Sequence, residues 1–256
     1  MLPYIEIFGK MVPMYGVCFV IGMGLAVTVA WLLARKYQDV PHVDIVTSAV
    51  YAGIGAVVGA KLLFILVNLN LIISGELTIL QAFQGGFVFY GGLIGGIIGL
   101  YIYVKIYKLN AFKFFEIYAT VVPLGHSIGR VGCFLGGCCY GIEYDGPLSC
   151  TYTVNIGNTP IGVPLFPVQL AEAFLLLCLF FVLLVLYMKK RHLGIQVITY
   201  GFVYCLLRFG LEFLRGDKER GALLGMSTSQ FISLVFAAVL IGILVYRVKK
   251  SNKAAD

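Results

Sequence analysis

Seven apolar runs, each roughly 20 residues long and so able to cross a bilayer as a helix, leave this chain one class of fold. They lie at about 13–34, 45–67, 86–107, 112–131, 167–188, 195–214 and 226–246. In lipid every backbone group must be satisfied internally, and a helix does this within one segment. Only 12% of the residues are charged, about half the share in an ordinary soluble domain. The sequence predicts an all-α polytopic membrane protein of seven transmembrane helices, organised as a single integral membrane domain over 1–256. The N-terminus lacks a basic stretch followed by a short apolar core, so no cleaved signal is expected and the first run serves as the insertion signal.

The segments between the runs carry start and stop signals. Residues 70–84 are too few to span and predict an interfacial stretch. Residues 142–166 are rich in turn formers, and the alternation of Tyr152, Val154 and Ile156 predicts a small hairpin. No repeat of fixed period is present, which argues against a transporter built from inverted repeats.

The net charge of +7 is distributed as orientation signals are, not as a nucleic-acid surface, and no nucleic-acid partner is expected. Twelve of the nineteen basic residues fall on one set of loops: Arg35, Lys36, Lys105, Lys108, Lys113, Lys189, Lys190, Arg191, Arg247, Lys249, Lys250 and Lys253. The opposite loops carry four, Lys10, Arg215, Lys218 and Arg220. Positive loops face the cytoplasm. The N-terminus is therefore expected outside and the C-terminus inside, as an odd number of spans requires.

With that orientation, costly polar residues collect at one depth. His126 and Arg130 stand one turn apart near the outer end of the fourth run, on one helix face. Lys61 falls in the outer half of the second run. Tyr90 and Gly91 open the third, Gln169 and Glu172 open the fifth, and Tyr204, Arg208 and Glu212 close the sixth at successive turns. A layer holding Arg130, Arg208 and Lys61 in low dielectric suits a phosphate, because the arginine fork matches its oxygens. The plainer reading pairs the arginines with Glu172 and Glu212 as structural ion pairs. Glycines 91–92 and 95–96 also read as close helix packing, and Tyr90 and Tyr204 as interfacial belt residues. Glu116, at the cytoplasmic end, is outside this cluster.

Several segments in order resemble the bacterial prolipoprotein diacylglyceryl transferases. They are Tyr15-Gly16; Gly85-Gly86-Phe-Val-Phe-Tyr90-Gly91-Gly92-Leu-Ile-Gly95; Gly129-Arg130-Val-Gly132-Cys133-Phe134; Pro167-Val-Gln169-Leu-Ala-Glu172-Ala173; and Tyr204-Cys-Leu-Leu-Arg208-Phe-Gly-Leu-Glu212-Phe-Leu-Arg215. The resemblance implies a cell-membrane enzyme with its site toward the outer leaflet. It would move diacylglyceryl from phosphatidylglycerol to the lipobox cysteine of secreted preproteins, releasing glycerol phosphate. Arg130 and Arg208 would hold the phosphate, and Tyr204 would lie beside the site. Tyr15, Lys61, Tyr90, Gly91, Gly129, Gly132, Cys133, Gly141, Gln169, Glu172 and Glu212 would line the substrate. No cofactor or metal is expected.

The chain departs from the family's usual pattern at three places. Tyr90 stands where a histidine is common, Cys133 where asparagine is common, and Cys138 where an acidic residue is common. His126 then becomes the candidate base, since imidazole titrates near neutral pH; its structural alternative is a hydrogen-bonded residue near the helix end. Cys133, Cys138 and Cys139 are most plainly read as small residues filling space beside a glycine-rich turn. A covalent lipid carrier, a disulfide, or a metal site shared with His126 ranks below that. Two other functions compete: a same-fold transferase with another acceptor, and a lipid or anion transporter. The transporter needs polar groups in the cytoplasmic half, where the sequence supplies few.

Overall fold

All seven apolar runs are helical in the computed structural model, which describes residues 3–38, 40–154, 159–189, 194–217, 222–223 and 226–253, without the side chains of Ile7, 222–223 and 245–253. Ile156 and the loop charges Lys190, Arg191, Lys218 and Arg220 fall outside the described residues, and the side chains of Arg247, Lys249, Lys250 and Lys253 do so too. The elements run β1 (Tyr4–Ile7), β2 (Lys10–Pro13), α1 (Met14–Tyr37), α2 (His42–Val67), α3 (Leu69–Ile73), α4 (Ile79–Gln84), α5 (Phe89–Ile106) and α6 (Ala111–Leu135). Then follow β3 (Cys150–Thr151), β4 (Pro164–Leu165), α7 (Val168–Met188), α8 (Ile195–Leu211) with a 3-10 turn at Glu212–Leu214, β5 (Ala222–Leu223), β6 (Met226–Ser227) and α9 (Thr228–Lys253).

Among the described residues, five helices are long and apolar enough to cross a membrane: α1, α2, α5, α7, and α8 with its 3-10 extension. The expected count was seven. Helix α6 is as long as the others, but Lys113, Glu116 and Arg130 interrupt its apolar character, and the apolar part of α9 is the shorter Thr228–Leu244. Solvation of the helices is inverted relative to a water-soluble fold. Val57, Ile94, Phe174, Phe181 and Val239 are more than half exposed, whereas Ser48, Thr120, Gln169, Glu172 and Arg208 are buried. Hydrocarbon accepts such a surface without the hydrophobic cost that water imposes.

The chain divides into two compact units, one of 1–29 with 116–256 and the other of 30–115. In the second unit, α2 and α5 cross at backbone contact. A Cβ added at Gly55 would overlap the Gly95 carbonyl, one at Gly59 the Gly91 carbonyl, and one at Gly99 the Tyr51 carbonyl. The four-residue spacing of these glycines lines them along one stripe of each helix, as in small-xxx-small crossings. The short row beside it, Gly92 and Gly96, meets Ala60 and Ala56 at ordinary 3.5 and 3.6 Å contacts. The expected non-spanning stretch at 70–84 holds α3 and α4. Thr78 and Gln81 start α4 with a reciprocal capping box, satisfying two otherwise orphan donors.

In the first unit, β1 and β2 form a hairpin turning through Phe8 and Gly9, both at positive φ (50° and 75°). That is the signature of a two-residue type I′ turn, and no sequence expectation covered it. Gly22 of α1 passes close to Gly125 of α6, and α8 packs on both α7 and α9. The buried carboxylate of Glu116 accepts from the Gly194 N–H at the start of α8, where the helix dipole favours negative charge. This explains why a carboxylate sits away from the polar cluster.

The hairpin expected from Tyr152, Val154 and Ile156 falls partly outside the described residues; among those described, Cys150–Thr151 pair with Pro164–Leu165, and Tyr152 bridges Ile161. Two backbone bonds fasten the loop to the end of α8, Ile142 N–H to Leu214 O at 3.0 Å and Gly216 N–H to Tyr140 O at 3.0 Å, while Phe166 N–H donates to Ile142 O at 2.9 Å within the loop, so that strips of backbone run on both sides of Gly141. Gly141 sits between these strips, where any Cβ would overlap the Phe166 carbonyl.

Candidate functional site

Helix α6 presents His126 and Arg130 one turn apart, and Ser127 fixes its position on α7 by donating to Ala173 O at 2.8 Å. That bond lies one residue from Glu172. Glu172 Oε1 is 3.0 Å from Arg130 Nη2 and 3.9 Å from His126 Nε2. The buried carboxylate therefore sits between the cation and the imidazole. Helix α8 closes the group. The Tyr204 ring lies 5.5 Å from that of His126, tilted by 55°. One turn on, Arg208 Nη2 reaches Glu212 Oε2 at 2.8 Å and donates to Ser229 Oγ of α9 at 3.1 Å. The charges of Arg130 and Arg208 both act on His126.

Both structural ion pairs anticipated from the sequence form, and neither satisfies its arginine. Each carboxylate takes one edge of its guanidinium. Arg130 Nε and Arg208 Nη1 remain buried without a hydrogen-bond partner among the described residues. The acceptors are also poorly aligned: Glu172 Oε1 and Glu212 Oε2 lie at ion-pair distance but receive no hydrogen bond of good geometry. A buried donor left unmade costs about 1–3 kcal/mol, more when charged. Two such donors lie in one cluster.

The loop after α6 supports this group. Helix α6 ends in a Schellman motif: Cys138 N–H donates to Cys133 O at 3.1 Å and Gly137 N–H to Phe134 O at 3.3 Å. Gly137 takes the left-handed position at φ 67°, which glycine adopts without Cβ strain. Gln169 then donates its amide to Cys138 O at 2.8 Å and to the Tyr152 hydroxyl at 3.1 Å. Burial, followed by the neighbouring Cys150, pushes the Tyr152 phenol above its ordinary value, so it serves there as a neutral hydroxyl.

Of the residues singled out in the sequence, His126, Arg130, Glu172, Tyr204, Arg208 and Glu212 converge. Gln169 braces the adjoining loop. Gly129 has open space where a side chain would be, whereas Gly132 packs against Tyr15 and Cys18. Tyr15 is half exposed at the start of α1, its ring against Phe19. Cys133 is buried beside Cys138 and Cys139. Lys61, Tyr90 and Gly91 belong to the second unit. There Lys61 Nζ donates to Gly85 O at 2.8 Å and Gly86 O at 3.1 Å and lies 4.1 Å from the Phe87 ring centroid. Gly91 forms part of the α2–α5 crossing, and Tyr90 stacks edge-on to Phe89.

Two further contributors stood outside the expected site residues: Arg215, read only as closing the sixth run, and Ser229. Arg215 is buried, grips Asp217 through two bonds of 2.9 and 2.8 Å, and lies near enough to Cys139 for the two to act on each other electrostatically. Burial opposes its charge, but Asp217 and Cys139 outweigh that and raise its affinity for the proton. Its spacing of two helical turns from Arg208 was the available signal. Ser229 carried none, because it stands 21 positions from Arg208 along the chain.

Comparison with known proteins gives a consistent result. The family profile described as "Prolipoprotein diacylglyceryl transferase" matches residues 4–246. A Clostridium tetani protein (strain Massachusetts / E88) named phosphatidylglycerol–prolipoprotein diacylglyceryl transferase is 35% identical over 248 residues, covering 97% of each chain. A Clostridium perfringens protein (strain 13 / Type A) with the same name, numbered 2, is 32% identical over 96% of this chain and 94% of its own. A Campylobacter jejuni relative (strain RM1221) is 30% identical over 96% and 94%.

Proposed function

The chain belongs to the prolipoprotein diacylglyceryl transferase family, and from that premise we propose how its buried cluster serves the family's reaction. The activity is transfer of diacylglyceryl from phosphatidylglycerol to a prolipoprotein. The observation that carries the mechanism is the pair of unpartnered donors, Arg130 Nε and Arg208 Nη1. They take the phosphate oxygens of phosphatidylglycerol. Glu172 orients Arg130, and Glu212 with Ser229 orients Arg208.

The lipobox cysteine attacks as its thiolate, the nucleophilic form. Its sulfur bonds to the phosphate-bearing carbon of the diacylated glycerol, and the bond from that carbon to the phosphate oxygen breaks. The electron pair leaves on glycerol phosphate, whose added charge the two arginines stabilise. His126, held near Glu172 and Tyr204, takes the thiol proton. The product is a thioether-linked diacylglyceryl cysteine.

In the membrane arrangement we infer, α6 and α9 cross along with the five long apolar helices. The N-terminus is outside, and the cluster lies toward the outer leaflet of the bacterial cell membrane. The bias of lysine and arginine among the loops supports this orientation.

Full-length protein in vesicles of labelled phosphatidylglycerol, given a lipobox peptide, tests the reaction. The reading expects label on the peptide thiol and release of glycerol phosphate. An unlabelled peptide with intact phospholipid would overturn it.

A further inference from the structure

The three thiols of Cys133, Cys138 and Cys139 take no part in the transfer chemistry above, yet all three sulfur atoms lie within 4.8 Å of one another. The fold produces this convergence by two local devices. In a Schellman motif the third residue from the helix end meets the second residue beyond it, and here those residues are Cys133 and Cys138. Cys139 follows at φ 60°, in the left-handed region, which non-glycine residues seldom occupy. That turn brings a third sulfur to the first two. Filling space requires none of this, because one small residue would do.

A metal explains the arrangement better than a disulfide. Zinc–sulfur bonds of about 2.3 Å at tetrahedral angles separate sulfurs by about 3.8 Å, within the spread seen here. A disulfide draws two sulfurs to about 2.05 Å and has no use for a third. Cationic neighbours offset the negative charge of gathered thiolates: Arg215 acts on Cys139, and Arg130 acts on both Cys133 and Cys139. Cys138 is exposed, leaving solvent a route to a fourth position.

We propose that Cys133, Cys138 and Cys139 bind one thiophilic d10 cation of the zinc class as thiolates, with water as the fourth ligand. Binding releases the thiol protons to solvent, as thiolate ligation requires. The ion clamps the end of α6 to the loop that carries Gly141, the residue bridged to Arg215 beyond α8. Arg215 is an outer partner that fixes the Cys139 sulfur.

The test titrates reduced full-length protein in detergent with Cd²⁺, following the ultraviolet thiolate-to-cadmium charge-transfer band, then maps alkylated cysteines by mass spectrometry. One cadmium per chain is expected, with Cys133, Cys138 and Cys139 protected and Cys18, Cys150, Cys178 and Cys205 unchanged. Arg215→Gln should weaken cadmium binding by about 10–100-fold, the usual cost of removing an outer partner. The mapping uses the unmodified chain, so it does not depend on a variant folding. No band in the reduced protein, or protection at other cysteines, would overturn the proposal. So would a band that survives in a folded Cys133→Ser, Cys138→Ser, Cys139→Ser variant, with folding checked by helical circular dichroism.

Discussion

The α2–α5 crossing and the cluster on α6, α7 and α8 place buried groups in the same apolar surroundings by opposite means. The crossing removes side chains until backbones touch: Gly55, Gly59, Gly91, Gly95 and Gly99 leave room only for hydrogen. The cluster retains long charged side chains and partners each incompletely, leaving Arg130 Nε and Arg208 Nη1 without acceptors. One surface is finished. The other keeps buried donors that have no acceptor among the described residues, and that incompleteness separates it from the crossing more clearly than its charge does.

The largest effects should come from the unfinished surface. Arg208→Gln or Arg130→Gln is expected to lower transfer by about 10²–10³-fold, the usual cost of losing a donor to developing charge, while helical content stays native. A small loss in the lipid-to-peptide assay would dissolve the contrast between the two regions. Glu172→Gln removes the carboxylate from between Arg130 and His126, and we expect about a tenfold loss (roughly 1.4 kcal/mol), with its pH dependence altered if His126 is the base.

The finished surface makes a sharper structural contrast. Gly95→Ala forces a Cβ into the Gly55 carbonyl and should destabilise by about 1–3 kcal/mol, as overpacking does. Gly96→Ala, one residue away and at ordinary contact distance, should be close to neutral. Thermal melts of the two variants in one detergent decide this, and equal melting points would refute backbone contact at the stripe.

The smallest effect concerns the loop thiols. Mutual hydrogen bonds with Cys133 and Cys138, then the charge of Arg215, hold the Cys139 thiol below its ordinary value, while bonds to its neighbours hold Cys138 above. A lowered value keeps thiolate present as pH falls. At pH of about 6, below the usual thiol value of about 8.5, metal-free protein should be alkylated at Cys139 in preference to Cys138. Preference for Cys138 would reverse the assignment.

Legibility in the sequence followed the range of the forces involved. The helices were visible because apolar length is a local property, as were the i, i+4 placements of His126 with Arg130 and of Arg208 with Glu212. The family resemblance further ordered these segments, and the profile match extends over most of the chain. Less legible were features set by distant partners. The hairpin at Tyr4–Pro13 depends on left-handed Phe8, an unusual turn residue. The pairing of Cys150–Thr151 with Pro164–Leu165 depends on a return segment with little alternation of its own. Lys61 looked like a member of the basic layer, yet its ammonium is engaged by the Gly85 and Gly86 carbonyls. Charge and depth identify where a cation lies, but only the folded chain shows which acceptor it already has.

The central claim is that the spare donors of Arg130 and Arg208 receive the lipid phosphate. Native mass spectrometry of the full-length protein, with phosphatidylglycerol competing against diacylglycerol, tests it most directly. Preference for phosphatidylglycerol should be clear in the unmodified chain, persist in Glu116→Gln, and vanish in the Arg130→Gln, Arg208→Gln double variant. An undiminished preference in that double variant would contradict the account.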